Sequence, residues 1–381
     1  MEKLDFEQGP IRPPNEAKSL LLRLTRNCPW NQCLFCPVYK GSAFSRRGVG
    51  EIKEDIGTIK KITEDVKTLS RRLGRGGEVD DVVINEVFQI PYSQAYRNVA
   101  AWLYYREYHV FLQDANSLIL PTEDLMAVLT ELRRELPQVN RITSYARAKT
   151  VARKTSEELK GLRQAGLDRI HIGLESGSDT VLKLMKKGVT AAEHIDAGRK
   201  IKAAGISLSE YWMPGLGGKD HWEEHALETA RVLKAINPNF IRLRSLRIPP
   251  RIPLYALVLD GTFQPLTDDE TVAEIRLMID HLEGITSTVT SDHIMNLLED
   301  ISGNLPQDKG RMLAGLDAYL FLSEEERLIY RFGRRAGVYR SVRDLGDGPM
   351  RKKVENALEE VRKSHPQGIE SFLNEVVNQY I

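Results

Sequence analysis

From Val110 onward the chain repeats a short apolar run, a polar turn and an amphipathic helix, and this recurrence limits the fold more than any other feature. Val110-Phe111-Leu112 runs into Gln113-Asp114-Ala115-Asn116, and Pro121-Thr122-Glu123-Asp124 then opens a helix. The unit returns at Arg141–Tyr145 with a helix over about 155–165, at Arg169–Leu174 with helices over about 178–204, and at Ile206–Met213 with a helix over about 221–236. Phe240–Arg244 closes the series as its last strand, and Leu20–Leu24 is the first, making six. Short strands alternating with such helices specify a parallel sheet with right-handed crossovers. The expected class is α/β, a partial (β/α)6 barrel whose active groups gather at the carboxyl ends of the strands.

The rest of the chain is read around that core. Residues 1–17 carry Pro10, Pro13 and Pro14 and read as an extended arm, and 18–255 as the barrel. Ile52, Ile56, Ile59, Ile62 and Val66 recur at helical spacing in a predicted helix from about Glu51 to Leu73, which Gly74-Arg75-Gly76-Gly77 ends. A stretch over about 78–108 reads as an insertion, with a short strand at Val82-Val83-Ile84 and an aromatic-rich helix through Trp102 and Tyr105. After Pro249-Pro250-Arg251-Ile252-Pro253 the period changes. Residues 256–381 read as a C-terminal helical region, with helices only from Asp268: Val272–Leu282, the Leu320–Leu322 region, Arg351–Arg362 and Ile369–Tyr380.

All three cysteines lie within nine residues, Cys28-Pro29-Trp30-Asn31-Gln32-Cys33-Leu34-Phe35-Cys36, directly after the first strand. Their odd number excludes a disulfide framework, and no partner pair or nearby histidine completes a four-ligand structural zinc site. Three thiolates suit a soft metal centre with one open position, an iron–sulfur cluster or a zinc with an external ligand.

Lys and Arg total 54 against 53 Asp and Glu, a net charge of +1, so no overall pull toward nucleic acid or an anionic membrane is implied. The chain is 41% hydrophobic and 28% charged, an ordinary globular composition. No apolar stretch reaches the length of a membrane span, and the first residues lack the apolar core of a signal peptide. A cytoplasmic location is expected, in keeping with cysteines reserved for a metal.

The cysteine loop resembles that of radical S-adenosylmethionine (SAM) enzymes, whose commonest pattern is C-x3-C-x2-C; here it is one residue longer, C-x4-C-x2-C. A second stretch, His171-Ile172-Gly173-Leu174-Glu175-Ser176-Gly177-Ser178-Asp179 followed by Leu182-Lys183-Leu184-Met185-Lys186-Lys187-Gly188, is similar to the branch containing oxygen-independent coproporphyrinogen oxidase and the methylthiotransferases. The resemblance covers about residues 18–250 and implies a TIM-like radical SAM barrel. It implies that Cys28, Cys33 and Cys36 hold a [4Fe–4S] cluster and that Phe35 lies near the adenine of SAM. Glu175 would meet the ribose hydroxyls and Lys187 the methionine carboxylate, while Gln113, Asp114, Ala115 and Asn116, in place of a Gly-rich turn, would meet the amino group. Ser144 is a further ribose candidate and Tyr211 an adenine neighbour.

Each assignment has a plainer alternative. Phe35, Ser144 and Tyr211 could be ordinary packing, Ser176 with Asp179 a helix cap, and Lys187 a solvated helix-end cation. On the substrate side, Arg242 and Arg244 share one face of a strand and, with Arg247, suit a carboxylate or phosphate, unless that face is outward. His293, in Ser291-Asp292-His293-Ile294-Met295-Asn296, is either a substrate contact or a structural histidine.

The implied activity is reductive cleavage of SAM to a 5′-deoxyadenosyl radical that takes hydrogen from an unidentified, anionic small molecule, with flavodoxin or ferredoxin as electron donor. Three cysteines leave none for a second cluster or a methylated cysteine, and the arm has no room for a cobalamin domain. Oxidation, rearrangement, lyase chemistry or a two-SAM methyl transfer remain. Nucleic-acid modification is disfavoured for want of an RNA-binding appendage. The competing class is a noncatalytic iron–sulfur or zinc protein, an electron carrier.

Overall fold

A computed structural model describes residues 4–365 and 368–378. In chain order its strands are β1 (Leu20–Arg23), β2 (Thr25–Arg26), β3 (Ser45–Arg46), β4 (His109–Gln113), β5 (Arg141–Ala146), β6 (Arg169–Glu175), β7 (Ser207–Trp212), β8 (Phe240–Leu243), β9 (Thr288–Thr290) and β10 (Gly303–Asn304). The chain divides into two compact units. The first comprises residues 1–31, 38–173 and 196–208, the second 32–37, 174–195 and 209–381.

In the first unit, β1, β4, β5 and the start of β6 pair side by side, all parallel, with Leu20 opposite Val110, Val110 opposite Ile142 and Thr143 opposite Arg169. Val110, Phe111 and Leu112 are fully buried, as befits strands covered on both faces. The helix Val49–Arg72 turns Ile52, Ile56, Ile59, Ile62 and Val66 inward, each with no exposed surface, so the periodicity read from sequence is realised.

One expectation fails here. Val82-Val83-Ile84 is not a strand but the start of the helix Asp81–Gln89. Asp80 caps it, its Oδ1 accepting the N–H groups of Val82 and Val83 at 3.1 Å, and Val83 and Val87 then fall on one buried face. The following helix, Gln94–Tyr105, is the predicted aromatic one, and its Tyr96 hydroxyl donates to Asp65 at 2.7 Å.

In the second unit, β7, β8 and β9 are parallel, with Ser209 opposite Phe240 and Phe240 opposite Thr288, and β10 pairs antiparallel to β9. The region beyond Asp268 is therefore not helical throughout, and Phe240–Leu243 does not end the series. Helix Asp268–Asp280 is the crossover to one more strand, Thr288-Val289-Thr290, whose β-branched residues suit a pleated, half-buried surface. Ser291–Asn296 consequently follows a strand end instead of lying among helices. Helices Lys309–Leu320, Glu324–Arg335, Gly348–Ser364 and Ile369–Asn378 follow. The predicted Ile369–Tyr380 helix runs past the described residues at its end.

Both units thus carry the expected α/β class with parallel strands. No helix among the described residues is long and apolar enough to cross a membrane.

Candidate active site

The stem of the cysteine loop is built in the first unit. Asn27, immediately before Cys28, has φ 68°, and its N–H donates to Asp114 Oδ2 at 2.9 Å. The same oxygen receives Arg23 Nη2 at 2.6 Å and Nε at 3.0 Å. The turn after β4 therefore holds the root of the cysteine loop directly. Asp114 is fully buried, which raises its pKa, although the Asn27 N–H and the Arg23 guanidinium pull it down. Farther along the loop, the guanidinium of Arg147 lies 4.9 Å from the centre of the Trp30 ring.

The neighbouring side chains have internal partners. Gln113 Oε1 accepts the N–H of Gly9 at 2.8 Å, and Nε2 donates to the carbonyl of Gly9 at 3.0 Å. Its amide thus closes on the N-terminal arm. A Cβ at Gly9 would stand 1.8 Å from Asp114 Oδ1, so only glycine permits this approach. Asn116 Oδ1 accepts the N–H of Arg147 at 3.0 Å, its Nδ2 donates to Thr150 at 2.9 Å, and Ser144 donates to the Tyr145 carbonyl at 3.0 Å. Ala115 is half-buried.

The second unit holds the rest of the loop. The Leu34 N–H donates to the Met185 carbonyl at 3.1 Å, and the Leu34 carbonyl accepts the Leu254 N–H at 3.0 Å. Phe35 is buried among Val181, Met185, Met213, Leu216 and Ile252, with Cys33 and Cys36 packed against that cluster. Lys187 Nζ lies 5.6 Å from the Phe35 ring centre and 3.0 Å from Glu175 Oε1. Lys187 is therefore no freely solvated helix-end cation. Glu175 ends β6 with φ 60°, a left-handed conformation uncommon for a side-chain-bearing residue and recurrent at functional sites.

Glu210 was not singled out by sequence reasoning. It lies fully buried on β7, and neither carboxylate oxygen has a hydrogen-bond partner among the described residues. Burial pushes its pKa well up; Lys187 opposes the shift and Glu175 adds to it. The signal was a lone acid inside Leu208-Ser209-Glu210-Tyr211-Trp212, a strand with no other charged residue. An acid whose folded pKa is raised costs stability above its unfolded value of 4.5, and the cost grows with pH. Glu210→Gln is therefore expected to melt higher than the parent in the absence of ligand, with the gain larger at pH 8 than at pH 5; a gain flat with pH would sink that account.

Ser176 is not the cap of the following helix. Its hydroxyl meets His225 Nδ1 at 2.8 Å, while Ser178 accepts the Val181 N–H at 3.1 Å as the cap. A Cβ on Gly177 would come within 2.3 Å of the Glu228 carbonyl oxygen, which accounts for the glycine between the two serines. Tyr211 is buried.

The substrate-side residues do not form one cationic face. Arg242 is buried, donating from Nε to Ser209 at 3.1 Å and from Nη1 to Asp292 at 3.2 Å. Arg244 lies beyond the end of β8 and is exposed. The strict strand alternation assumed for this pair ends at Leu243. His293 is half-buried; its Nδ1 accepts the Met295 N–H at 3.3 Å, and burial with the charges of Arg244 and Arg247 lowers its pKa to about 4.

None of the three cysteines is in a disulfide, and all are half-buried. Among the described residues no three Cys, His, Asp or Glu side chains are gathered as a ready-made metal site. The donor set still fits an iron–sulfur cluster in kind: three thiols on one short loop, none in a disulfide. The unpartnered Glu210 carboxyl, near the Glu175–Lys187 pair, likewise fits a ligand bearing a cation and hydroxyl groups.

Residues 95–230 match the family model of the Radical SAM superfamily, so the chain carries a radical SAM domain, a class whose cofactors are a [4Fe–4S] cluster and SAM. Over about a third of its length the chain is similar to curated enzymes of two kinds. It is 37% identical over 109 residues to a tRNA-2-methylthio-N(6)-dimethylallyladenosine synthase of Alkalilimnicola ehrlichii, covering 28% of this chain and 22% of that protein. It is 22% identical over 122 residues to a tRNA uridine(34) acetyltransferase of Methanocaldococcus infernus, covering 32% and 23%. The chain spans less than a quarter of the length of these curated relatives. Among solved structures, the radical SAM methyltransferase TsrM of Kitasatospora setae, with cobalamin and a [4Fe–4S] cluster bound, aligns over 89% of this chain and 61% of its own at TM-score 0.43 and 12% identity.

Proposed function

We propose that this protein is a single-cluster radical SAM enzyme in which Cys28, Cys33 and Cys36 ligate the [4Fe–4S] cluster and Glu175, Lys187 and Glu210 receive SAM. The observation that carries the reading is the Glu175–Lys187 pair at 3.0 Å, with Lys187 over the ring of Phe35, the residue immediately before the third cysteine. When bound, the cluster and SAM supply a reducing electron and a homolytic route to the 5′-deoxyadenosyl radical. The chain's own contribution is to orient and to exclude water.

Glu175 is held with its carboxylate toward Lys187, where it can accept from ribose hydroxyls, and Lys187 can exchange that partner for a ligand carboxylate. The apolar wall of Phe35, Met213 and Leu216 keeps water from that side. Phe35 beside the adenine and Tyr211 as its neighbour complete the reading. Gln113, Asn116 and Ser144, whose side chains have internal partners, would act mainly through backbone groups.

Anaerobic reconstitution followed by dithionite and SAM tests this, with 5′-deoxyadenosine read by mass spectrometry. The parent is expected to form it, Cys33→Ala to form none, and Glu175→Gln to form it at least roughly tenfold more slowly, as for loss of a charge-assisted contact. Equal product from Cys33→Ala would overturn the assignment.

A second reading concerns the substrate. The two curated relatives above are named for tRNA, so nucleic acid, disfavoured for want of an RNA-binding appendage, returns as a substrate class beside a small anion. The chain's three cysteines still leave none for the second cluster that methylthiolation uses. Acceleration of SAM cleavage by total tRNA, removed by ribonuclease, would favour the RNA. An electron donor such as flavodoxin or ferredoxin completes the proposal.

A further inference from the structure

Just beyond the end of β8, the second unit lines a partly open cavity of about 870 Å3, a volume typical of small-molecule sites. Ser245 and Arg247 line it from the strand end, and Gly215 from the turn after β7. The helix Glu324–Arg335 lines it with Arg327, Arg331 and Arg335. These recur at every fourth residue and so share one helix face, where like charges weaken a helix. The arrangement is unfavourable unless something anionic gathers them.

Internal partners only partly do so. Asp268 meets Arg247 at 2.9 Å and Arg335 at 3.3 Å, and Asp269 lies 3.2 Å from Arg327 and 3.9 Å from Arg331. Four guanidinium groups thus share two aspartates. The lining glutamates, 324, 370 and 375, are exposed, whereas the four arginines are buried or half-buried. Only Glu370 reaches one of them, Arg331 at 2.8 Å. The Nε–H groups of Arg247, Arg327 and Arg331 are buried and make no hydrogen bond among the described residues; Asp269 is misaligned with that of Arg327 and, at 3.9 Å, too far from that of Arg331. Burial, more than the charges of Arg247 and Arg334, lowers the pKa of Arg335 despite Asp268, whereas, against burial, the carboxylates of Glu370, Asp269 and Asp268 raise that of Arg331. Guanidinium forks of this kind match the paired oxygens of carboxylate and phosphate.

The geometry points to a binding site for a small organic anion in this cavity, with Arg247, Arg327 and Arg331 as its recognition groups. It rests on the proposed radical chemistry only in taking that anion as the substrate, since the strand ends that line it are those of the barrel repeat. The binding stands or falls separately.

The reconstituted protein, without oxygen, reductant or SAM, is titrated in a calorimeter with citrate and, separately, with adenosine 5′-monophosphate. Saturable binding of at least one probe is expected, weakened roughly tenfold or more in Arg327→Gln and Arg331→Gln and unchanged in Lys353→Gln, an exposed cation outside the cavity. Citrate alone would identify carboxylate recognition, the nucleotide alone phosphate recognition; both support the site. Should a glutamine variant melt early, Arg327→Lys keeps the charge, loses the fork and is still expected to bind more weakly. Absence of saturable binding to the parent at millimolar probe, or equal binding by the arginine variants and Lys353→Gln, overturns the inference. A silent deoxyadenosine assay leaves it standing.

Discussion

Asp114→Ala is expected to lose more than half of its iron on reconstitution and to unfold at lower denaturant than the parent. The carboxylate holds the Asn27 N–H at 2.9 Å and the Arg23 guanidinium at 2.6 Å, so its removal frees the residue before Cys28 and strips a buried partner from Arg23. Breaking a buried pair from one side typically costs about 3–5 kcal/mol. Here Glu7, 2.9 Å from Arg23, keeps the loss toward the lower end. Asp114→Asn, which retains an acceptor for Asn27 but no charge, should fall between. The outcome separates two roles for this residue. A ligand to the SAM amino group would leave iron content intact and weaken SAM binding alone, whereas a tether for the loop lowers iron first. Full iron loading in Asp114→Ala at parental stability would remove the tether.

That residue also shows where the sequence could be read and where it could not. The strand at Val110–Leu112, the polar turn after it and the isoleucine face of helix Val49–Arg72 are local patterns, and the structure follows them. The use made of the turn is not local. Gln113 bonds Gly9, 104 positions earlier in the chain, and Asp114 bonds Asn27, 87 positions earlier; no periodicity carries such pairings. Val82–Ile84 looked like a strand because β-branched residues stood together, and Asp80's capping of the backbone decided for helix. Thr288–Thr290 escaped notice for the opposite reason: three residues are too few for a pattern, and the strand exists because β8 offers it an edge. Glu210 was passed over because an acid within a strand ordinarily reads as its solvent-facing side, yet here every residue from Leu208 to Trp212 is buried. The C-terminal arginines were unremarkable until the helix Glu324–Arg335 put three of them on one cavity.

Acid sensitivity in the first unit should be set largely at Glu16, beside the separate contribution of Asp268 in the second, whose pKa burial would raise but the charges of Arg247 and Arg335 lower. Glu16 is fully buried beside Ser19, 3.0 Å from Arg141 and 3.5 Å from His171 Nε2. Burial alone would raise its pKa, but the hydrogen bond with His171, the Arg141 charge and the Ser19 hydroxyl outweigh that and lower it from 4.5 to about 2. A folded pKa below the unfolded one means that the stabilisation is complete above pH 4.5 and is lost as pH falls toward 2. The shift corresponds to roughly 3 kcal/mol at neutral pH. Glu16→Gln should therefore be less stable than the parent by about that amount at pH 7 in urea unfolding, and the gap should narrow by about 2 kcal/mol between pH 7 and pH 3. A gap constant with pH would mean that the carboxylate's shape and hydrogen bonds, which glutamine partly keeps, matter and its charge does not. Arg141→Gln extends the test: with that cation gone the midpoint of the acid transition should move to higher pH, since Glu16 then gives up its charge sooner.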